Sequence, residues 1–479
     1  MPGVFSQGQL KIIPGVYIRS TSDSITDVPA RTGGIVAVLA QTLWGPLGST
    51  RLLSSIGQVD TYYGSGSASD ALRQAFVGGA ERVLALRVGD TSEGVVATRT
   101  MVDTTGSPVN VVRIDAVHKG TRGNTFKLTI ANSLTLAGKR ELRVYEDTTL
   151  LETFIFTGGA TEPANLIAAV AAGSGLWITA VSLAAGNGIM AAVSAVSMAS
   201  GADPSVVAGD YTNALSVIES ERWGILATDS EDDAIHATIG AFVDRVVDEG
   251  KRVIGVVGEP TSVSLSDRKT NAAVLNSENV SYVGNGFVDS NEEELEGYLA
   301  VARYAGMIAG TPLRESTTNS VVLGATAVVN ATGELTNSEL EECLQAGMVV
   351  FALNTNQKPK VLSGINTLTS LDANQDVGWK KERRVRIRYD LMNRIDVAWE
   401  PLLGKVGNTD KGQDTLMVRA RGVVLDMVRE DLLFPESYVE LDPDNPSTAD
   451  TIYVRGVIWD VDSIEFAYVT FKFQANPPS

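Results

Sequence analysis

The feature that most constrains the fold is an alternation of amphipathic helices with short apolar runs across residues 210–369. The clearest helix is predicted over Glu231–Glu249, and the apolar run Val253–Val257 follows it at once as a buried strand. The apolar side chains of that helix share one face: Ile235, Ile239, Phe242, Val243, Val246 and Val247. Alternating β and α units of this kind predict a mixed, largely parallel sheet with helices on its faces.

The ends of these units carry their own signals. Ser230 and Asp233 form a capping pattern before the first helix, and Gly250 is placed to end it. Thr336 and Glu339 form a second capping pattern. The other predicted units are helices at Ser266–Leu275, at Asn291–Gly310 (opened by the acidic run Asp289–Glu296) and up to Gly347, with strands at Val280–Gly284 and Met348–Leu353.

The chain before this region contains two parts with different sequence patterns. Up to residue 94, a buried strand at Ile35–Ala40, a helix near Ser69–Val77 and a strand at Arg82–Val88 continue the α/β rhythm. Between Gly94 and Pro204, short alternating runs and one Ala-rich helix predict an inserted β-rich module. Its runs are Asn110–Ala116, Thr125–Ala131, Glu141–Tyr145 and Glu152–Phe156, and its helix is Ala164–Ala172.

After residue 370 the pattern changes again, to a helical stretch at Gln413–Leu433 and strand-like runs at Thr451–Val461 and Ile464–Gln474. We therefore predict an α/β core with an inserted β-rich module, a smaller α+β C-terminal domain and extended terminal arms. The divisions are an N-terminal arm (1–20), the N-terminal part of the core (21–94), the inserted domain (95–203), the main α/β domain (204–370), the C-terminal domain (371–462) and a C-terminal arm (463–479).

The charge balance limits the partners. The chain has 39 Lys and Arg against 57 Asp and Glu, a net charge of −18, so direct binding to nucleic acid is disfavoured. Pro163–Ala202 lacks charged residues, but glycines interrupt it and Ala and Ser dominate it. A buried helix followed by core strands fits that run better than a membrane span.

Few residues suited to catalysis are present. Cys343 is the only cysteine and the only histidines are His118 and His236, so we expect no enzyme, no cofactor and no metal site. We interpret Asp232 and His236 as a surface ion pair on a helix, and His118 as a residue exposed at a turn. The run Gly64–Ser69 resembles part of a dinucleotide loop, but a flexible turn before a helix explains it better.

A basic run interrupts the acidic chain near its end. Residues 380–394 contain seven basic and two acidic residues. Because polar and apolar residues alternate there, we predict a strand whose cationic face is formed by Arg384, Arg386 and Arg388. The favoured partner for that face is an acidic surface of another copy of the same chain.

Both ends of the chain are strand-prone. Val16, Tyr17 and Ile18 lie in an extended segment after Pro14. In the last run the apolar side chains change parity, a shift that indicates a bulge or a passage between two partners. Phe466 and Tyr468 lie on one parity, and Val469, Phe471 and Phe473 lie on the other.

An ordered set of motifs resembles the tail sheath proteins of contractile-tailed bacteriophages and related particles. The set spans both termini and the α/β region, whereas the inserted module is similar only in outline. The motifs are PGVYIRS from Pro14, WGP from Trp44, GGAERVLALRVG from Gly78, ARYAGMIAGTPLRESTTNSVV from Ala302, LQAGMVVFAL from Leu344, SGINTLTS from Ser363, RRVRIRYDLMNRI from Arg383 and VDSIEFAYVTFKFQ from Val461.

The resemblance implies a structural subunit that needs no cofactor. Such subunits form rings stacked helically around an inner tube, and their terminal arms complete a small β-sheet in neighbouring subunits. Contraction, triggered at the baseplate, drives the tube through the target envelope. The implied partners are further copies of the chain, the inner tube, the baseplate and the tail terminator, without membrane insertion. The implied location is the virion, assembled in the host cytoplasm. Because the texture of the inserted module differs from that of the core and its resemblance is weaker, we also expect the module to lie on the outside of the polymer.

Three other interpretations stay open from the sequence. The chain could be the sheath of a bacteriocin-like or secretion-type contractile particle rather than of a phage. A cytosolic α/β hydrolase would need a converging polar site, which the motifs do not offer. A surface-layer or adhesin subunit would carry an export signal, and none is visible in the first residues.

Overall fold

A computed structural model describes residues 34–473 apart from 67, 68, 332 and 374. The predicted N-terminal arm, with Val16, Tyr17 and Ile18, lies outside the described residues. The first described elements follow the predicted α/β rhythm. They are β1 (Ile35–Ala40), β2 (Thr50–Leu53), α1 (Ile56–Tyr63), α2 (Asp70–Gly78) and β3 (Arg82–Arg87).

The inserted segment folds around a core of its own. Its strands form a four-stranded sheet in the order β10-β6-β7-β8 and a three-stranded sheet in the order β4-β5-β9, with α3 packed against β8 and β9. The elements are β4 (Val96–Val102), β5 (Asn110–Lys119), β6 (Phe126–Asn132), β7 (Lys139–Glu146), β8 (Thr149–Thr157), α3 (Glu162–Ala171), β9 (Ile178–Ser182) and β10 (Val193–Ser197). The predicted strands and helix of this module are therefore confirmed.

The region after the insertion returns to alternating helices and strands. Its first half contains α4 (Ala208–Ile218), β11 (Ile225–Thr228), α5 (Asp233–Asp248), β12 (Ile254–Gly258), α6 (Leu265–Leu275), β13 (Val280–Val283), β14 (Gly286–Asp289) and β15 (Glu294–Leu295). Its second half contains α7 (Tyr298–Gly310), β16 (Ala325–Val329), α8 (Asn337–Gln345), β17 (Met348–Val349), β18 (Phe351–Leu353) and β19 (Pro359–Val361).

One seven-stranded sheet unites the parts of the chain on either side of the insertion. Its order is β17-β13-β12-β11-β1-β3-β2, and only the edge strand β2 runs antiparallel to its neighbour. In its centre Val36 of β1 lies opposite Ile225 of β11. Alternate residues of β1 face opposite layers of helices, so the whole strand is buried and reads as a continuous apolar run.

The two parts of the core also meet through glycines. A Cβ atom at Gly306 of α7 would collide with the carbonyl oxygen of Ala75 in α2, and one at Gly78 would collide with that of Arg303. Two segments of the predicted family motifs, GGA from Gly78 and YAGMIAG from Tyr304, thus form one close helix crossing. Larger side chains there would force the helices apart.

Several predicted boundaries in the core were wrong. The acidic residues before α7 do not open that helix, because the Asp289 carboxylate accepts hydrogen bonds from the N–H groups of Asn291 and Glu293 at 2.7 and 3.0 Å. This turn returns the chain as β15, and α7 begins only at Tyr298. Asp232 rather than Ser230 caps α5, because its carboxylate accepts from the N–H of Ala234.

The predicted strand Met348–Leu353 is divided between two sheets. Met348 and Val349 lie at the edge of the main sheet, while Phe351 pairs with Val361 in a separate hairpin. The Thr336–Glu339 capping box, by contrast, is present as predicted at the start of α8.

The C-terminal region contains two long helices and a small hairpin. The elements are α9 (Glu382–Trp399), α10 (Asp410–Arg429), β20 (Tyr438–Leu441) and β21 (Val454–Val457). The predicted strand at Arg384–Arg388 was wrong, because these residues form the first turns of α9. Val385 and Ile387 are both fully buried although they project in different directions, since α9 is covered on more than one side. Because Val385 and Ile387 are both buried, apolar and basic residues alternate along this part of the helix as they would along a strand.

Candidate subunit interface

The C-terminal arm leaves the body of the protein without a partner among the described residues. From residue 464 to 473 the chain forms no helix and pairs with no described strand. Its large apolar side chains are all at least 67% exposed: Ile464, Phe466, Tyr468, Val469, Phe471 and Phe473. Each unpaired backbone donor and acceptor of such a segment is available to another strand.

The hairpin of β20 and β21 is a second incomplete element. These strands form a two-stranded sheet in which Tyr438 lies opposite Val457, and no third described strand joins them. The side chains of Tyr438, Tyr453 and Trp459 are 44%, 44% and 46% exposed. A sheet of two strands is marginal by itself, so added strands would stabilise it.

The root of the arm is held by the first turns of α9. Arg384 donates from Nε to Asp460 at 2.7 Å, and Arg388 donates to the same carboxylate at 3.2 Å. The two guanidinium groups also bind Asp376, and Arg388 lies over the ring of Trp379 at 4.4 Å. Burial alone would raise the pKa of the Asp460 carboxyl, but the hydrogen bonds from both arginines hold that pKa below its ordinary value.

A second group of contacts links α9 to the loop that follows α7. Arg383 donates to the carbonyl oxygens of Leu313 and Val461, at 3.1 and 2.5 Å. Arg386 donates to the carbonyl oxygen of Thr311 at 2.8 Å and forms an ion pair with Glu382 one helical turn away. The helix therefore connects the core, through this loop, to the segment that leads into the arm.

The last fixed point of the chain is Glu465. Lys381 lies 2.7 Å from the carboxylate of Asp462 and 3.2 Å from that of Glu465. Thr318 of the core loop donates to Glu465 at 3.1 Å. Beyond Glu465 the side chains are exposed, so the free part of the described arm begins at Phe466.

These contacts change the interpretation of the basic run. The side chains of Arg384, Arg386 and Arg388 are only 15%, 11% and 14% exposed, and carboxylates of the same chain neutralise them. The predicted cationic strand face is therefore not formed, and a contact of these arginines with a neighbour stays a prediction. The sequence did hold a signal for the actual arrangement, because Arg384 and Arg388 are spaced one helical turn apart.

Both histidines are placed differently from the prediction. His236 is buried with its Nε2 atom 2.8 Å from the carbonyl oxygen of Ser230, and burial lowers its pKa, so it forms no surface ion pair with Asp232. His118 lies within β5, not at a turn, and its ring packs edge-on against Trp44 at 5.0 Å. Burial, followed by the nearby Arg87, lowers the pKa of His118 to about 4.

The described residues contain no cluster of His, Cys, Asp and Glu arranged to hold a metal ion. None of the helices in the described part of the chain has the length and apolar character needed to cross a membrane. The elements that stand out are instead an exposed strand-prone arm, an incomplete sheet and a buried ionic junction. Together they make the C-terminal region the candidate surface for contacts with other chains.

Comparison with known proteins specifies the class. Residues 205–367 match the family model described as the phage tail sheath protein central domain. The predicted resemblance is thereby confirmed: the central domain of the chain is of the phage tail sheath type, and the fold of the chain is similar to that of a solved sheath tail protein. The matched residues contain α5, β12 and β13, in which the alternating pattern is clearest.

The similar proteins cover most of the chain. The chain is 24% identical over 396 residues to the phage-like element PBSX protein XkdK of Bacillus subtilis, a match that spans 80% of this chain and 79% of that one. A sheath tail protein from Desulfitobacterium hafniense has a similar fold, with a TM-score of 0.73, 23% identity and coverage of 94% and 97% of the two chains. The contracted helical sheath of the anti-feeding prophage is similar with a TM-score of 0.54, 13% identity and coverage of 97% and 99%.

Proposed function

We propose that this protein is the repeating subunit of a contractile sheath, stacked in rings around an inner tube that it drives through a cell envelope on contraction. The observation that carries the proposal is the arm, which exposes six large apolar side chains between residues 464 and 473. A protein that stayed monomeric would gain nothing from that exposure, whereas a polymer would bury it.

The proposed acceptor of the arm is the hairpin of β20 and β21 in a neighbouring subunit. Strand addition to its free edge would satisfy the backbone of the arm and enlarge the two-stranded sheet. At about 3.3 Å per residue the eight described residues after Glu465 reach roughly 26 Å from the body of their own subunit. The N-terminal segment around Val16, Tyr17 and Ile18 is proposed to add to the same sheet.

The apolar content of the arm sets the scale of this contact. Burying Phe471 and Phe473 in a neighbour would contribute about 1.5–3 kcal/mol each before the cost of ordering the arm. Because every subunit of a polymer repeats the contact, the total grows with the length of the sheath. Baseplate and terminator proteins would bind the first and last rings, where arms or acceptor sheets lack a partner of the same kind.

The particle need not be a complete phage. Similarity to a protein of a phage-like element and to the sheath of the anti-feeding prophage favours an injection particle as the second candidate. In both cases we propose the same sheath assembly, located in a phage tail or a tail-like particle and formed in the producing cell. The two differ in what travels through the tube.

The proposal is tested by negative-stain electron microscopy of the purified full-length chain over a range of concentrations. Tubes or stacked rings of uniform width are the expected result, with a sharp concentration threshold. Discrete, monodisperse particles at every concentration, with the arm still exposed to limited proteolysis, would contradict it.

A further inference from the structure

The described part of the arm is exposed after Glu465, whereas its root is held by ion pairs. Four cationic side chains of α9 and the residue before it meet five carboxylates of the same chain. The members of this arm clasp are Lys381, Arg384, Arg386 and Arg388 with Asp376, Glu382, Asp460, Asp462 and Glu465. Asp460 accepts hydrogen bonds from two guanidinium groups, and its side chain is only 5% exposed.

The arm clasp reaches three separate parts of the chain. Asp460 and Asp462 precede the arm, Thr311, whose carbonyl oxygen accepts from Arg386, follows α7, and α9 itself lies between them in the sequence. Because α7 packs against α2 and the main sheet, the contacts form a continuous path from the arm into the core. Hydrogen bonds to charged groups in partly buried surroundings are stronger than exposed ion pairs, so these contacts should hold the root of the arm in place.

We propose that the arm clasp positions the arm for strand exchange between subunits. It fixes the direction in which the arm leaves its own subunit, and it transmits tension on the arm to α7. This inference rests on the proposed function. Pre-orientation reduces the conformational freedom that the arm loses on binding a neighbour, and so favours assembly. The pivot of the arm is then the short stretch after Glu465, while residues 460–463 stay bound to α9 in the free and in the assembled subunit.

Two substitutions separate this role from general folding. Asp460→Asn removes the carboxylate charge at the centre of the arm clasp, and Lys381→Gln removes the partly exposed cation that holds Asp462 and Glu465. Lys381→Arg preserves the charge, and Lys405→Gln removes an exposed lysine elsewhere in the C-terminal domain as a matched control. The readouts are thermal unfolding, amide hydrogen exchange and the concentration threshold for tubes.

The exchange reporter is the N–H of Val461, which donates to the carbonyl oxygen of Leu432 at 2.9 Å. We expect Asp460→Asn and Lys381→Gln to accelerate its exchange in the unassembled protein by about tenfold or more and to raise the assembly threshold by a similar factor. Exchange in β1 and β12 should not change, Lys381→Arg should restore both readouts, and Lys405→Gln should behave as the unmodified chain.

The proposed role of the arm clasp would be overturned if Lys381→Gln and Asp460→Asn changed neither the exchange of the Val461 N–H nor the concentration threshold for tubes. If Asp460→Asn does not fold, Lys381→Gln alone decides, because its side chain lies at the rim of the cluster. If the unmodified chain forms no tubes at all, the proposed function fails, and the exchange of Val461 still decides whether the root of the arm is held as described.

Discussion

The inserted module and the C-terminal region differ in how far their large apolar side chains are buried. In the module, Leu128, Leu142 and Val144 have no exposed surface, and the buried Arg140 and Glu162 neutralise each other. In the C-terminal region, α9 and α10 bury a small core, but the arm after Glu465 and the aromatic side chains around β20 and β21 stay in solvent. Both regions contain β-hairpins, so secondary structure alone does not explain the difference.

The difference shows which region is complete within one chain. The module pairs its strands into two sheets and packs α3 against them, so its strands find their partners within one chain. The C-terminal region leaves a sheet of two strands and a strand-prone arm, and we propose that these complement each other between copies. The following predictions test this contrast, beginning with the largest expected effect.

Removing the arm should abolish assembly, whereas removing the module should not. A chain ending at Glu465 keeps the arm clasp and should unfold cooperatively at nearly the normal temperature, but should form no tubes by electron microscopy. For the module, residues 94–202 can be replaced by a short Gly-Ser linker, since the N–H of Val95 and the carbonyl oxygen of Ala202 are only 2.9 Å apart.

The module deletion needs two compensating changes in the core. Arg87 is 1% exposed and binds Asp203 and the carbonyl oxygen of Lys119, and Trp44 packs into the module core. Arg87→Met and Trp44→Ser prevent a buried charge and an exposed indole after the deletion. Two outcomes would contradict the proposed difference between the regions. One is that the chain ending at Glu465 still forms tubes, and the other is that the chain without the module is soluble and folded but never assembles.

Truncating a single apolar side chain should weaken assembly when the side chain lies in the arm, but not when it lies in the module. Phe473 in the arm and Leu134 at the tip of the β6–β7 hairpin are 94% and 91% exposed in the single chain. Phe473→Ala should raise the concentration threshold for tubes by about tenfold or more, since burial of such a side chain contributes about 1.5–3 kcal/mol. Leu134→Ala should leave the threshold unchanged. Equal effects of the two substitutions would show that exposure alone, and not position, governs association.

Packing changes inside the core should affect stability without a specific effect on assembly. Gly306→Ala places a methyl group against Ala75 in α2 and should lower the free energy of unfolding by about 1–3 kcal/mol. Gly422→Ala in α10 has open space around its Cβ and should raise that free energy by roughly 0.5–1 kcal/mol. Denaturant titrations measure both, and a shift of the same sign at the two positions would refute the close helix crossing.

A pH-dependent effect should be an acid-induced weakening where the module meets the core. The unfolded chain binds a proton at His118 near pH 6.5, whereas the folded chain binds it only near pH 4. The unfolded state therefore holds more protons between these values, and the free energy of unfolding should fall as the pH drops from 6.5 to 4. His118→Gln should flatten this part of the profile. An identical slope in both proteins would exclude His118 as a source.

The sequence predicted the parts of the fold whose signals are local. The apolar run of β1, the amphipathic stripe of α5 and the Thr336–Glu339 box each depend on a short window, and all three are present in the structure. The apolar phase shift in the last run stays a prediction, because residues 464–473 pair with no described strand. Local windows suffice there because each signal, an apolar run, an apolar stripe or a capping pair, is set by residues close together in the sequence.

The errors came from contacts between distant segments. The Arg384–Arg388 alternation was interpreted as a strand because nothing nearby reveals that Asp460, 76 positions away, binds this part of a helix. The burial of His236 likewise depends on the loop after β11 and on Tyr282 of β13, and neither is visible from the neighbouring carboxylates. The sequence therefore missed the intramolecular partners of Arg384 and Arg388, and a contact of these arginines with a neighbouring chain stays a prediction.

The central claim is that the arm of one chain completes the β20–β21 sheet of another. A photo-crosslinking amino acid in place of Phe471 tests it directly in tubes assembled from equal amounts of ¹⁴N- and ¹⁵N-labelled chains. Mass spectrometry should identify cross-links from position 471 to residues 438–457, with about half of the linked peptide pairs carrying mixed labels. Cross-links of one label only, which place the arm on its own subunit, or mixed links to another surface would contradict the account.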